Sequence, residues 1–176
     1  MIVEATSFLD PDELTMRRVM GRFLTGVAII TTRDRDGGSH GMTINSMTSV
    51  SLSPPILMVA LSSGARTGEA LITSPCFAIS ILGVKQEAVA RRFAIRGGER
   101  FDEGEFDLTE SGLPVVRGAV SQADCRVVAR NDVGDHQVFF GQVTRCRDRE
   151  EDPLGFRGGT FGRFKDFGHE HRPWRS

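Results

Sequence analysis

Apolar and polar side chains alternate along several short segments of the chain, and this pattern predicts mostly β-strands. The segments are separated by Gly, Pro, Asp and Ser, which are typical of turns. Two of the strands flank residues 131–136 and are predicted to form a hairpin. The predicted strands are 27–32, 56–61, 76–82, 115–120, 124–130 and 137–147.

Helical spacing occurs in only a few places. Near the N-terminus, Asp10, Pro11 and Glu13 are typical of a helix start, and Gly26 is expected to end a helix spanning about 11–25. Its apolar residues should lie over a sheet. Residues 85–95 form a second amphipathic segment, and a short helix is expected to follow the loop 62–67. The apolar positions of the first helix are Met16, Val19, Met20, Phe23 and Leu24.

One polar run, residues 41–55, does not alternate as a strand should. It contains hydroxyl side chains and Asn45 but no charged residue, and it ends at Pro54 and Pro55. A groove for a neutral, flat, hydrogen-bonding ligand would have this composition. An edge strand rich in Ser and Thr, followed by a turn, would have it too.

Short strands with few helices, and no alternation of strand and helix, predict an antiparallel barrel with added helices. The 176 residues fit one domain with a sizeable core. We therefore expect a single domain over 1–176, with a flexible tail from about 165 to 176.

Charge and cysteine content exclude several functions. The net charge of -1 leaves no basic excess for binding nucleic acid. No apolar run is long enough to span a bilayer and no signal peptide is recognisable, so no membrane association is expected. Cys76, Cys125 and Cys146 form neither a disulfide framework nor a metal spacing, and the first two are expected to be buried thiols. A reducing cytoplasm fits this pattern.

Two further segments contain candidate binding residues. The loop Ser62, Ser63, Gly64, Ala65, Arg66, Thr67 precedes a helix, and hydroxyls, backbone N–H groups and an Arg could hold a phosphate there. An ordinary helix cap with a surface Arg is the alternative. His136 follows Asp135 in the predicted hairpin turn, where the residues alone favour a histidine that faces water.

Familiar catalytic motifs are missing. The segment 158–162 contains glycines, but not in the spacing of a dinucleotide-binding fingerprint, and no phosphate-binding P-loop, nucleophile elbow, HExxH or CxxC occurs. His169 and His171 stand two apart near the C-terminus, where a polar tail explains them better than a metal site.

Several motifs in order along residues 14–164 resemble the flavin reductase-like, FMN-binding split-barrel family. The polar run is similar to its signature, and the match continues through a buried strand, a helix and a Gly-Asp-His turn. One departure stands at Gly155, where the family usually has a Tyr. The motifs are 41–55, 77–82, 91–94, 100–101, 112–114, 118–119, 124–127, 134–136, 138–143 and 153–159.

The resemblance implies a mainly β fold, a six-stranded antiparallel Greek-key split β-barrel. It also implies an NAD(P)H:flavin oxidoreductase that reduces FAD or FMN with NADH or NADPH and passes the reduced flavin to a separate monooxygenase. Such proteins are usually homodimers with flavin near the subunit interface.

Residues that would bind the cofactors follow from the same resemblance. His136 would position the nicotinamide, without acting as an acid or base, and Phe156, Arg157 and Gly158 would line the same side. Phe101 would also contact a cofactor. The flavin ring would lie against Thr43, Ile44, Asn45, Ser46, Ser49, Val50 and Ser51, and its phosphate against Ser62, Ser63, Arg66 and Thr67.

Other functions remain compatible with the residues. A split barrel could bind flavin or haem without reductase turnover, or serve only as a structural dimer module. A pyridoxamine phosphate oxidase-like protein would need more basic residues at its phosphate sites than Arg66 alone.

Overall fold

The computed structural model describes residues 8, 10–95, 97 and 101–165. It contains helices α1 (Glu13–Met20), α2 (Arg66–Thr73) and α3 (Glu87–Ala94), the last preceded by a 3-10 turn at Val84–Gln86. The strands are β1 (Thr25–Gly26), β2 (Ala28–Arg33), β3 (Ser39–Ile44), β4 (Met47–Leu52), β5 (Pro55–Ser62), β6 (Cys76–Ile81), β7 (Phe106–Leu108), β8 (Pro114–Val116), β9 (Ser121–Val133), β10 (His136–Asp148), β11 (Leu154–Arg157) and β12 (Thr160–Arg163).

Seven antiparallel strands form the main sheet, in the order β3-β2-β6-β9-β10-β5-β4. The edge strands β3 and β4 are consecutive in the chain and separated only by Asn45 and Ser46. Three Cα steps span at most about 11 Å, so the sheet must curl until its two edges meet here. The result is a barrel split between β3 and β4, which confirms the predicted fold class, with seven strands in its sheet rather than six.

Two hydrophobic cores share β2, whose side chains alternate between them. Ala28 and Ile30 join the core inside the barrel, together with Val59, Phe77 and Phe139. Val27 and Ile29 join a second core formed with Ala90 and Phe93 of α3. Because both faces of β2 are covered, its residues 28–32 are all buried, and the predicted amphipathic helix at 85–95 covers the second face.

The first helix is shorter than the sequence predicts. It starts after Asp12, whose Oδ1 accepts a hydrogen bond from the Thr15 N–H at 2.7 Å, and not after Asp10. It ends at Gly21, since Thr25 and Gly26 pair with β11 as strand β1. The expectation that its apolar side lies over the sheet is also wrong, because no α1 residue is buried in the single chain.

The segment from Pro153 holds a hairpin that the sequence pattern did not predict. Strands β11 and β12 pair from Leu154 with Arg163 to Arg157 with Thr160, and β1 joins them in a three-stranded sheet. Glycines dominate this segment, so apolar alternation is absent. Of the expected tail, residues 166–176, including His169 and His171, lie outside the described part of the chain.

The cysteines are free thiols in different environments. Cys125 is buried, and burial raises its pKa to about 12; Cys76 is half-buried, and burial is also the main cause that raises its pKa. The prediction of a buried thiol is thus confirmed for Cys125 and partly for Cys76. No helix within the described residues is long and apolar enough to cross a membrane.

Gly141 offers a test of how tightly the barrel core is packed. A Cβ added there would overlap the Phe77 ring and lie 3.0 Å from the Cβ of Cys125. We expect Gly141→Ala to lower the free energy of unfolding by about 1–3 kcal/mol, as overpacking does. Gly26→Ala is the matched control, since a Cβ there meets nothing within 4 Å. Urea denaturation of both variants measures the difference, and equal loss in the two would contradict this packing.

Candidate functional site

Strand β5 brings together two of the predicted binding segments. Its Ala60 N–H donates to the Ser46 carbonyl at 3.0 Å, and Ser62, two residues later, pairs with His136. Residues two apart on a strand lie on the same face at about 7 Å. That face lies outside the barrel, because the intervening residues of β5, Leu57, Val59 and Leu61, are buried in the core inside it. The break between β3 and β4 and the His136 turn therefore form one outer surface.

The side chains at the break differ in whether their hydrogen-bonding groups are free to bind a ligand. The Ser46 hydroxyl donates to the Ala60 carbonyl, and the Thr43 hydroxyl donates to the Ala90 carbonyl at 2.6 Å. Ile44 points into the barrel core. Asn45 is exposed, and its amide forms no hydrogen bond with any described residue. Of the four predicted residues here, Asn45 alone has its full hydrogen-bonding capacity open to a ligand.

Strand β4 contains the remaining predicted ring contacts. Its pairing with β5 shifts between Ser49 and Ser51, so Val50 lies in a β-bulge and is exposed. Ser49 and Ser51 instead line a small apolar cavity of about 240 Å³, which also borders Leu57 of β5 and Val143 of β10. The structure thus places Val50 apart from Ser49 and Ser51.

The predicted phosphate loop leads directly into α2. Ala65 occupies the N-cap position and provides no side-chain hydrogen bond, so no side chain caps the first-turn N–H groups. Arg66 and the hydroxyls of Ser62 and Ser63 are exposed beside this helix end. Thr67, in contrast, is only 2% exposed and faces the interior. An anion could approach the uncapped N–H groups and Arg66, but not the Thr67 side chain.

His136 is joined to both neighbouring loops. Its Nδ1 lies 2.7 Å from Asp135 Oδ1, and its Nε2 lies 3.5 Å from Ser62 Oγ. The Ser63 N–H also donates to the Asp135 carbonyl at 2.9 Å. The hydrogen bond from His136 is the main cause that lowers the pKa of Asp135, so this carboxylate stays ionised through the neutral range. An imidazole that donates from Nδ1 presents Nε2 as an acceptor when neutral.

Phe101 lies in an aromatic cluster between α3 and β3. Its ring is 5.3 Å from Phe93, edge to face, and 5.1 Å from Phe106. A Cβ on Gly41 of β3 would lie 3.2 Å from the Phe101 ring. The described contacts therefore give Phe101 a packing role.

Phe156, Arg157 and Gly158 lie in the β11–β12 hairpin and face a groove beside α1. Gly155, which replaces the usual Tyr, is buried, and a Cβ there would lie 3.4 Å from Leu24 Cδ1. A glycine lets Leu24 pack closely against the hairpin. The same groove contains four arginines that the sequence analysis did not identify: Arg17, Arg18, Arg22 and Arg163.

Arg17, Arg18 and Arg22 are absent from the predicted site residues because the apolar positions of 11–25 indicate a structural helix, and Arg163 lies in a glycine-rich segment with no strand pattern. The pairs Arg17 with Arg18, and Arg18 with Arg22 four residues apart, were the available signal. Within the described part of the chain, no group of three or more His, Cys, Asp and Glu side chains could hold a metal ion.

The split barrel has the fold expected of the flavin reductase-like family. Residues 20–165 match the flavin reductase like domain. The chain therefore belongs to the flavin reductase-like family, as the motifs predicted.

Two curated proteins are similar over most of their length. An NADH-dependent FAD reductase of Streptomyces globisporus is 39% identical over 98% of this chain and 97% of its own. An FMN reductase (NADH) of Agrobacterium fabrum is 37% identical over 85% of each chain.

One solved structure shares both the fold and the sequence. It is an NADH:FAD oxidoreductase of Streptomyces globisporus in complex with NAD and FAD fragments. The TM-score is 0.87 with 36% identity, covering 93% of this chain and 100% of that one.

Ser46 and Asn45 are expected to differ in their effect on stability. Ser46→Ala removes the hydroxyl that binds Ala60 and should lower the free energy of unfolding by about 1 kcal/mol. Asn45→Ala removes an amide that has no hydrogen-bond partner among the described residues and should change the free energy of unfolding by less than about 0.5 kcal/mol. Chemical denaturation without flavin measures the free energy of unfolding of both variants. A larger loss for Asn45→Ala than for Ser46→Ala would show that Asn45, and not Ser46, stabilises the break.

Proposed function

We propose that this protein is an NAD(P)H:flavin oxidoreductase that transfers hydride from a nicotinamide cofactor to FAD or FMN. The observation that carries the proposal is the convergence, on the outer face of β5, of the Asn45–Ser46 break with Ser62 and His136. The similar NADH-dependent FAD and FMN reductases support it.

The residues present fit a flavin. An isoalloxazine ring is flat, has no net charge when oxidised and is rimmed by hydrogen-bonding atoms. The free amide of Asn45 can donate and accept at such a rim. A phosphate suits the uncapped N–H groups of α2 and the exposed Arg66. When bound, the flavin provides the hydride acceptor, and the protein's contribution is binding and orientation.

Each group on this surface has a distinct task. Asn45 orients the ring through hydrogen bonds, while Ser46 and Thr43 fix the backbone around it through Ala60 and Ala90. Ser62, Ser63 and Arg66 hold the phosphate end. Because these contacts are few and half-exposed, they suit a flavin that is bound, reduced and released.

His136 positions the nicotinamide rather than exchanging a proton. Asp135 holds its Nδ1, which fixes the plane of the ring. The acceptor at Nε2 can bind the N–H of a carboxamide, and the ring can stack on the pyridinium. Hydride transfer requires no general base. His136 therefore contributes to the rate by holding the nicotinamide at near-contact distance from the flavin.

The partner of the reaction is a flavin-dependent monooxygenase that receives the reduced flavin. A similar protein, 34% identical, is the reductase subunit of a flavin-dependent monooxygenase in Rhodococcus jostii. We also propose a homodimer, supported by large apolar side chains exposed on α1 and on the edge strand β4, such as Met20, Val50 and Leu52. The three free thiols are consistent with the reducing cytoplasm.

His136→Ala is expected to raise the KM for NADH or slow flavin reduction by about 10-fold or more, since positioning strongly affects hydride transfer. Flavin affinity should stay largely intact. The measurement is anaerobic stopped-flow reduction of FAD, FMN and riboflavin by NADH and NADPH.

His40→Ala is a matched control for that experiment, because His40 forms a similar 2.7 Å contact with Asp34 at the distant β2–β3 turn. Unchanged kinetics in His136→Ala would remove this residue from the site. Wild-type protein that binds flavin but oxidises neither NADH nor NADPH would refute the reductase function itself.

Asn45→Leu is expected to weaken flavin binding by about 1–3 kcal/mol, because a polar atom of the ring would lose its partner. Titration followed by flavin fluorescence measures the dissociation constant. The variant should keep the melting temperature of the wild type, since Asn45 has no described hydrogen bond to lose. An unchanged dissociation constant would mean that the ring does not lie at this break.

A further inference from the structure

The β9–β10 hairpin extends beyond β6 and leaves part of one strand edge open. The pairing of β9 with β6 ends at Arg126, and the N–H of Val127 donates to the Pro75 carbonyl at 2.9 Å. Residues 128–133 pair with β10 on one side and, within the described part of the chain, with no strand on the other. All of them are exposed. An open strand edge is a template for pairing with another chain.

The turn of the hairpin determines which backbone groups point to this open edge. Only two residues separate the strands, so Val133 and His136 form a hydrogen-bonded pair within the hairpin. Backbone groups that point towards β10 and away from it alternate along an antiparallel strand. The N–H and C=O groups of Asp132 and Arg130 therefore point to the open edge, whereas those of Asn131 point to β10.

These outward groups match the same edge of a second copy of the chain in antiparallel orientation. A twofold axis beside Asn131 places each Arg130 opposite Asp132 of the other copy, and the two residues of such a pair can exchange both N–H···O=C hydrogen bonds. Residues that are opposite each other also have their side chains on the same face, so each guanidinium meets a carboxylate. Two other registers keep outward groups opposite each other, with the axis at Arg130 or at Asp132, and both place like charges together.

The other face of the open edge is self-complementary in the same register. The axis beside Asn131 places Val133 opposite Ala129 of the second copy, which is an apolar contact. It also places the two Asn131 side chains opposite each other, and amides can both donate and accept hydrogen bonds. Val133 is 58% exposed in the single chain, so the contact removes apolar surface from water.

The charges of Arg130 and Asp132 are not used within the chain. Neither side chain forms an ion pair with a described residue, and Asp132 accepts one long hydrogen bond, from Gln137 Nε2 at 3.4 Å. Charged side chains on an open edge commonly prevent pairing with other chains. Here they oppose the shifted registers but favour one, so they select a single pairing rather than exclude all of them.

We infer that the open edge of β9 joins two copies of this chain in one continuous sheet, about a twofold axis beside Asn131. This contact is separate from the surfaces of α1 and β4 proposed for the homodimer, and where both form, two dimers are joined. It does not depend on flavin reduction. Because the edge is short, the contact is small and the association depends on protein concentration.

Cross-linking tests the register directly. Asn131 and its counterpart would form a pair without mutual hydrogen bonds, with Cα atoms about 4.5 Å apart, which a disulfide can bridge. Asn131→Cys, made in the full chain together with Cys146→Ser to remove the exposed native thiol, should therefore form a disulfide-linked pair of chains under mild oxidation. Arg130→Cys is the matched control, because that position is equally exposed but faces Asp132 of the other copy. We expect cross-linking at least about tenfold faster for Asn131→Cys on non-reducing gels.

A charge exchange tests the complementarity of the edge. Asp132→Arg places two arginines opposite each other on both sides of the axis, and it should weaken self-association about tenfold. The double variant Arg130→Asp/Asp132→Arg restores opposite charges in the same register and should associate as the wild type does. Sedimentation velocity over a range of protein concentrations measures the association of all three proteins.

Each result supports or overturns the inference. Equal cross-linking of Asn131→Cys and Arg130→Cys, self-association unchanged in Asp132→Arg, or a double variant as weak as the single one would overturn it. If Asp132→Arg lost only the transfer of reduced flavin to a monooxygenase, the edge would belong to that protein, and the inference would again be wrong. Should Asp132→Arg fail to fold, the cross-linking comparison decides alone. A wild type that self-associates through this edge yet reduces no flavin would refute the proposed function instead.

Discussion

The short connection between β3 and β4 is the constraint on which the rest of the structure depends. These strands lie at opposite edges of a seven-stranded sheet, yet only Asn45 and Ser46 separate them. The sheet must therefore close on itself, and the hydrogen bonds between Ser46 and Ala60 hold the closing point against β5. Barrel closure and placement of the binding surface are consequences of the same two residues.

Closure also explains why this barrel contains a polar segment at its split. The Ser46 hydroxyl satisfies the Ala60 carbonyl of β5, and the Thr43 hydroxyl ties β3 to the Ala90 carbonyl of α3. Leaving the Ala60 carbonyl buried and unpaired would cost roughly 1–3 kcal/mol. The polar run is thus neither a plain edge strand nor a uniform ligand floor. Part of it stabilises the split, and Asn45 remains open on the outer surface.

Local patterns were sufficient for much of the fold. The apolar pattern located β2, β5, β6 and β10, and helical spacing located α3, because burial on one or both faces of an element leaves a recognisable repeat or run of apolar residues. Local patterns failed where two signals competed or none existed. Asp12 took the capping position expected for Asp10, strand pairing shortened α1, and the glycine-rich β11–β12 hairpin had no alternation to recognise.

The candidate site was predicted unevenly for similar reasons. Residue types, together with the family resemblance, identified the break, the loop before α2 and the His136 turn, all of which reach one surface. They could not reveal that Thr67 faces the interior or that Phe101 packs on α3. The groove that holds Arg17, Arg18, Arg22, Arg157 and Arg163 could not be predicted, because its two walls are far apart in sequence and meet through tertiary contacts such as Gly21 with Gly158.

The sequence by itself determined which chemical groups are available and the periodicity that makes a β-barrel of this chain. Only the tertiary structure decided which of those groups are free. The Thr43 hydroxyl is occupied by a carbonyl 47 positions away, and that of Ser46 by one 14 positions away. The sequence shows that a hydrogen-bond donor is present, but it looks the same whether its partner is the protein or a ligand. Contacts between residues distant in the chain determine which partner it has.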